Sequence, residues 1–510
     1  MSTSVGANPA FDLIGLTQLR NDPKFAGIDG SGFTVAVLDT GLDGLHPQIS
    51  PNFKLFADFV NGRKNPPIIT NINNSYDSGS HGTHVAGTVG ARDPNIGVAP
   101  DVGLIGLRVL PGYDTDINNA LQWVLDNHEK YNIVAVNMSL GNEEFYKDDS
   151  QIAGDDIQGR DIVKKLEQAG VTVVSAAGND YAVKQIPGVI SPAIYSTINV
   201  GAVWQDNQSL GAYLPGGGSG PQQTPGSDRI TVFSQRLDDP NDTYDTLFAP
   251  GAMIKSAVPK GGFEQWPGTS MASPHVAGAV ALMQEAARQF SGRLLSPAEI
   301  VEIMRSTGDV IFDGDDENDN VTNTNTSYRR LNIYKAITEI QQRSQQIAPA
   351  SAGFTVGDAN GTIAGAYLVQ NTIDGSPVDV ILESMGTDGG TTQVGNKDVD
   401  IFKFEVAVAG TVNIEVGSHP NNVNDFDTLL RLFNSSGTEL AFDDNGGIGD
   451  FSRLQVSLNP GIYYAGVSGN NNRNYDPNVA SSGVTAATGN YSLQFGLTNT
   501  DLNGLLANAV

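Results

Sequence analysis

Residues 33–41 read FTVAVLDTG, a short and almost unbroken apolar run that stops at Asp39, Thr40 and Gly41. A strand with one face in water alternates apolar and polar residues. A run without alternation is buried on both faces, and such strands belong to parallel sheets. The same texture recurs in LIGLRVL (104–110), IVAVNM (133–138), VTVVSA (171–176) and INVGAV (198–203). Helical patterns lie between these runs. Residues 117–129 carry Leu121, Val124 and Leu125 on one stripe, with Thr115 or Asp116 as cap. Residues 161–169 precede Gly170 as a helix stop, and 271–290 form the longest apolar helix pattern. The alternation implies an α/β domain built on a parallel sheet with helices on both faces.

Ligands bind beyond the carboxyl ends of the strands in an open parallel sheet. Three of these strands leave through polar or Gly-rich exits: Asp39-Thr40-Gly41, Ser139-Leu140-Gly141 and Ala177-Gly178-Asn179-Asp180. One edge therefore collects the chemistry.

The chain has 510 residues, and one core usually stops growing near about 250–300, so two domains are expected. There are 29 Lys and Arg against 56 Asp and Glu, a net charge of −27. No basic face is available to follow a phosphate backbone, so nucleic acid is not an expected partner. The absence of cysteine removes disulfides, thiolate metal sites and a cysteine nucleophile. No apolar run reaches the ~18 residues of a membrane span. The opening MSTSVGANPAFDLIG lacks a basic segment followed by an apolar one and does not read as a secretory signal.

The texture changes near residue 345. Residues 346–395 are rich in Ser, Ala, Gly and Thr and read as a linker or irregular segment. Residues 396–497 alternate short strands with Gly/Asn turns, among them DIFKFEV, TLLRLF, SRLQVSL and IYYAGVSG. Period-two patterning with frequent turns predicts a small all-β sandwich, and 498–510 form a tail.

Few residues can do acid–base work near neutral pH. Of the six histidines, His81 and His84 lie in SGSHGTHVAGTVGA and His275 in GTSMASPHVAGAVALM, each a Gly-broken turn entering an apolar helix. Ser270 stands where the Gly-Thr turn meets the helix start, and the helix dipole there favours a nucleophile whose attack creates an oxyanion. Taken singly, each feature has an ordinary explanation. An Asp after a strand or an Asn-Asp after Gly is usually a turn former. His81 and His84 lack the third ligand of a zinc motif.

Taken together, AVLDTG around Asp39, HGTHVAG from His81, AAGND around Asn179 and GTSMASPHVAG around Ser270 resemble the subtilisin-type serine proteases, the subtilases. The order Asp, His, Ser is theirs, and NMSLG (137–141) and GVAP (97–100) also match. The resemblance implies a subtilisin-like peptidase domain over 1–345 and hydrolysis of peptide bonds through an acyl-enzyme. Asp39 would orient His81, His81 would act as base and then acid, Ser270 would attack, and Asn179 with the Ser270 N–H would hold the oxyanion. Ser139, Leu140 and Gly141 would pair with an extended substrate. Ala176, Ala177 and Gly178 would line the pocket for the residue before the scissile bond, with a broad apolar preference. His84 and His275, further along their helices, are expected to be structural. The competing reading is a catalytically inactive subtilase scaffold that binds through its β-sandwich.

The later segments DVDIFKFEV, FDTLLRLFNSSG, LAFDDNGG and LNPGIYYAGVSG resemble the bacterial pre-peptidase C-terminal domain. That resemblance implies an extracellular address, with an intracellular one as the alternative. The expected partners are protein or peptide substrates, and the expected state is a monomer. Calcium is the expected cofactor. Asp313, Asp315 and Asp319 lie in an acidic, Asn-containing tract able to wrap a hard cation. Asp398, Asp400, Asp427, Asp443 and Asp444 sit at strand ends and turns of the second domain. Two departures from the family stand out. Ser80 replaces the usual Gly before the base and is expected to cap the His81 helix. The family's high-affinity calcium site needs an acidic side chain and a long Asn-rich loop, where this chain has Gln48 and a short ARDPNIG.

Overall fold

The computed structural model describes residues 8–142, 144–208, 215, 225–238, 246–314, 321–347, 362–363, 366–369, 381–384, 387–388, 392–393, 399–406, 409–418, 427–447, 451–479, 482–486 and 490–498. The chain divides into two compact units, Met1–Ser344 and Gln345–Val510.

In chain order the first unit holds α1 (Pro9–Leu13), α2 (Leu16–Asn21), β1 (Thr34–Asp39), β2 (Phe53–Asp58), α3 (His81–Gly90), β3 (Gly103–Arg108) and α4 (Asp114–Tyr131). There follow β4 (Ile133–Met138), α5 (Asp155–Gln168), β5 (Thr172–Ala176), α6 (Tyr181–Lys184), β6 (Ile198–Trp204), β7 (Leu247–Ala252) and the hairpin β8 (Ile254–Val258) and β9 (Gly262–Trp266). Last come α7 (Thr269–Ser291), α8 (Pro297–Thr307), β10 (Asp309–Phe312), β11 (Ser327–Arg330) and α9 (Ile333–Ile347). Nine strands form one sheet in the order β10-β11-β7-β6-β5-β4-β1-β3-β2. All neighbours run parallel except β10, which pairs antiparallel with β11 at one edge.

The unbroken apolar runs are explained by two cores. Val35 and Val37 of β1 pack on one face with Val85 and Val89 of α3 and Val276 and Val280 of α7. Ala36 and Leu38 pack on the other with Leu121 and Val124 of α4 and Ile162 and Val163 of α5. Each fully buried Val or Leu contributes roughly 1.5–3 kcal/mol, so both faces select against polar residues. Because β1 lies between β3 and β4, the exits at Asp39 and Ser139 are neighbours on the carboxyl edge.

The helix expected over 161–169 begins earlier, at Asp155. Gly159 breaks its apolar pattern because a side chain there would meet Tyr195 and Asn118. The α4 helix also begins earlier, at Asp114, and Asp116 serves it from the third helical position by accepting the Tyr113 N–H at 3.0 Å.

Among the described residues the second unit contains two larger sheets and a short antiparallel pair, Thr387–Asp388 with Thr392–Gln393. One larger sheet joins Tyr367–Leu368, Val399–Val406, Gly461–Gly469, Thr428–Asn434 and Glu439–Asp443; the other joins Ile381–Ser384, Asn490–Thr498, Gly410–Ser418 and Arg453–Leu458. Their pairing is antiparallel apart from the short Tyr367–Leu368 strand. Phe402, Phe404, Ile414, Leu430, Val467 and Leu493 share one core, as two sheets with alternating inward residues require. Among the described residues no helix is long and apolar enough to cross a membrane.

Candidate active site

Asp39 ends β1 with its side chain fully buried, and His81 opens α3 with its side chain 28% exposed. His81 Nδ1 lies 2.8 Å from Asp39 Oδ1 and 2.9 Å from Oδ2. A carboxylate only accepts, so Nδ1 carries the proton and the lone pair is left on Nε2. Gly82 permits this approach, since a Cβ there would fall 2.2 Å from Gly41 O. Burial alone would lower the His81 pKa. The charge and hydrogen bond of Asp39, aided by the charge of Asp77, outweigh it and raise the pKa above the ordinary histidine value.

The entry to α3 corrects one expectation. Ser80 does not cap the helix with its side chain; it takes a left-handed backbone with φ of 66°. The cap is Asp77. Its Oδ1 accepts the N–H groups of Gly79 and Ser80 at 3.0 and 2.9 Å, and its Oδ2 accepts the Thr83 N–H at 2.8 Å. Thr40 Oγ1 accepts the Gly82 N–H at 3.0 Å and donates to Asp77 Oδ1 at 2.7 Å.

Ser270 lies in the first turn of α7. The N-cap is Gly268, whose φ of 145° suits only glycine and which has no side chain to cap the helix. Pro274 lies inside the helix and has no N–H to give to the Ser270 carbonyl. Ser139 supplies the missing donor, its Oγ donating to Ser270 O at 2.9 Å. Asn137 Nδ2 donates to Ser139 Oγ at 2.9 Å and Ser273 Oγ lies 2.9 Å away. The buried Ser139 side chain thus anchors the Ser270 turn to the end of β4. The Ser270 hydroxyl donates to Ser139 O at 3.4 Å, and among the described residues it makes no hydrogen bond to His81 in this conformation. Hydrogen bonds of this kind are often loose before substrate binds.

Asn179 follows β5. Its Oδ1 accepts the Thr269 N–H at 2.9 Å and the Thr269 hydroxyl at 3.1 Å. An N–H can only donate, so the amide orientation is fixed and the Nδ2 hydrogens remain for another acceptor. The Thr269 hydroxyl in turn accepts the Gly178 N–H at 3.1 Å. Thr269 was not identified from sequence, although a hydroxyl directly before Ser270 was the available signal.

The model of the Subtilase family matches residues 30–332, more than half of the chain. The chain belongs to the subtilase family. The bacterial pre-peptidase C-terminal domain matches residues 398–469. Subtilisin E of Bacillus subtilis (strain 168) is 35% identical over 278 residues, covering 53% of this chain and 60% of its own length. Subtilisin of Bacillus pumilus is 35% identical over 278 residues and 83% of its length. The major intracellular serine protease of Bacillus subtilis (strain 168) is 31% identical over 295 residues, 55% of this chain and 77% of its own. This subtilase spans 60% of the length of the first relatives it matches.

The two expected substrate segments of this subtilase differ. Ala177 and Gly178 use their backbone internally: Ala177 N–H donates to Val200 O, Ala177 O accepts from Ile190, and Gly178 O accepts from Gln235. They can form a wall but not a pairing edge. Among the described residues, Leu140 and Gly141 have no backbone hydrogen bonds, which leaves them free to pair with an added strand. His84 and His275 are buried and structural. His84 Nε2 donates to Ile254 O and Glu264 O, its ring stacks on Trp266 at 4.5 Å, and burial pushes its pKa down to about 3. His275 Nδ1 donates to Met271 O, and burial lowers its pKa to about 4. The Trp266 ring also faces His81 at 6.3 Å.

The calcium expectation meets a different donor set. Asp313 is not free to hold an ion: Arg236 Nε and Nη2 donate to its two oxygens at 2.8 and 3.0 Å, and Thr324 donates to Oδ2. Arg236 also lies over the Tyr181 ring, so this buried pair joins the segment after β10 to α6. Asp400 Oδ2 accepts from Tyr491, and Asp427 Oδ2 accepts from Asn470. Asp443 Oδ2 accepts the Gly446 and Arg453 N–H groups, as a turn-forming Asp does, and Asp444 lies in the same turn. Asp315, Asp319 and Asp398 lie outside the described residues. Among the described residues no three His, Asp or Glu side chains gather around one point, and Asp427 Oδ1 is buried with no hydrogen-bond partner among them.

Proposed function

We propose that this subtilase is a serine endopeptidase that cleaves proteins and peptides through Asp39, His81 and Ser270. The observation that carries the reading is the pairing of His81 Nδ1 with both oxygens of buried Asp39, which leaves Nε2 unprotonated. The substrate strand adds to Leu140 and Gly141, and its side chain before the scissile bond rests against Ala176, Ala177 and Gly178. The uncharged walls favour apolar side chains. Ser270 Oγ turns from Ser139 O to His81 Nε2, gives up its proton and attacks the carbonyl. The oxyanion is held by the Ser270 N–H and Asn179 Nδ2. His81 then protonates the leaving amine, and water releases the acyl group by the same path in reverse. Asp39 holds the imidazole in place and stabilises the imidazolium.

We further propose action as a monomer outside the cell; the match to the pre-peptidase C-terminal domain supports that address. The test is casein cleavage by wild type and Ser270→Ala. Replacement lowers kcat by on the order of 10⁶, the loss found when subtilisin's own nucleophile is removed. Equal inertness of both proteins, each shown to be folded, would favour the binding-scaffold reading instead.

A further inference from the structure

The loop between α3 and β3 is closed around a guanidinium. Arg20 of α2 donates from Nη1 to Pro94 O and from Nη2 to Gly97 O and Val98 O at 2.8 and 2.9 Å. The Phe11 ring packs beneath it, 5.1 Å from Cζ. Among the described residues no carboxylate is within ion-pairing distance of Arg20. Burial lowers its pKa to about 10, with the charge of Asp93 opposing the shift, so it stays cationic at neutral pH. The rest of the loop is tied by further hydrogen bonds. Gln48 Oε1 accepts the Asp93 N–H at 2.6 Å, Asp93 Oδ1 accepts from the Asn95 backbone and side chain, and Asn8 Nδ2 donates to Asn95 O at 2.9 Å.

Backbone carbonyls converging from one tight loop are donors suited to a hard cation such as calcium. An ion needs those oxygens undivided and is repelled by a fixed positive charge among them. We propose that Arg20 is a built-in cation: its guanidinium fills the carbonyl cage of residues 94–98 in place of a metal ion and locks the α1–α2 segment onto the body of the protein. The lock is covalently supplied, so chelators do not release it. This inference concerns the fold and stands apart from the proteolytic reading.

The test is hydrogen exchange on the full chain in a Ser270→Ala background, which prevents self-digestion, with calcium or with EGTA. Amides of residues 10–21 and 95–99 keep the same protection in both conditions. Arg20→Ala loses protection in both segments, and calcium does not restore it. Arg20→Lys, whose single ammonium cannot span three carbonyls in a fixed fork, falls between the two. Loss of protection in the parent on adding EGTA overturns the proposal, as does full protection in Arg20→Ala. If Arg20→Ala does not fold, the EGTA comparison and Arg20→Lys decide the matter.

Discussion

The first turn of α3, which carries His81, has its amides closed by side chains, whereas the first turn of α7, which carries Ser270, is left open. At α3, Asp77 takes the Ser80 and Thr83 N–H groups and Thr40 takes that of Gly82. At α7, Gly268 offers no side chain, Thr269 N–H is spent on orienting Asn179, and the Ser270 N–H has no partner among the described residues. A base must be held still, and a full cap does that. A nucleophile that generates an anion needs unspent donors, and a bare helix end keeps them. The difference is bought with local irregularity: a glycine N-cap and a proline in the second turn of α7.

The contrast can be broken most severely at the open end. On the proposed mechanism Asn179→Ala removes one oxyanion donor and lowers kcat by about 10²–10³ with little change in KM, the size known for removing one such donor in subtilisin itself. Steady-state kinetics on a peptide ester checks this, and a loss carried mainly in KM would mean that Asn179 binds substrate instead.

The closed end responds more mildly. Asp77→Ala costs about 1–2 kcal/mol of stability as a lost helix cap, read by urea denaturation. It also removes a charge that raises the His81 pKa. The base must be neutral to act, so the acid limb of kcat/KM moves to lower pH in this variant. The raised His81 pKa also bears on stability. A raised folded-state pKa gives stability that is present below the unfolded histidine value of about 6.5 and is lost as pH rises through the folded value. An acid limb that does not move would show that Asp77 acts on the helix alone.

The smallest effect is a gain. Ser80 holds a left-handed conformation that costs a non-glycine residue roughly 1–2 kcal/mol. Ser80→Gly relieves it, partly offset by the flexibility of glycine in the unfolded chain, and raises stability by up to about 1 kcal/mol with kcat unchanged. A destabilised variant would mean that the Ser80 hydroxyl has a role its contacts do not reveal.

What the sequence could disclose depended on whether the physics was local. The runs at 33–38, 133–138 and 171–176 are strands because both faces are dry, and that constraint is written in each residue. β7, LFAPGA, escaped notice because Pro250 and Gly251 break its texture; Gly251 is required where a side chain would meet Ala202 and Gly268. The residues at the site were legible as motifs, but their supports were not. Pro274 announces an unsatisfied carbonyl at Ser270, yet only the fold brings Ser139 to it from 131 residues away. Asp313 looked like a cation ligand in an acidic tract. Its partner Arg236, 77 residues distant, could not be inferred from spacing.

The most direct measurement is modification by a serine-directed sulfonyl fluoride, followed by intact mass and peptide mapping across pH. The account predicts one added group, located on Ser270, at a rate that rises with pH as His81 loses its proton and that vanishes in His81→Ala. A folded wild-type protein that stays unmodified at Ser270 at every pH would contradict it.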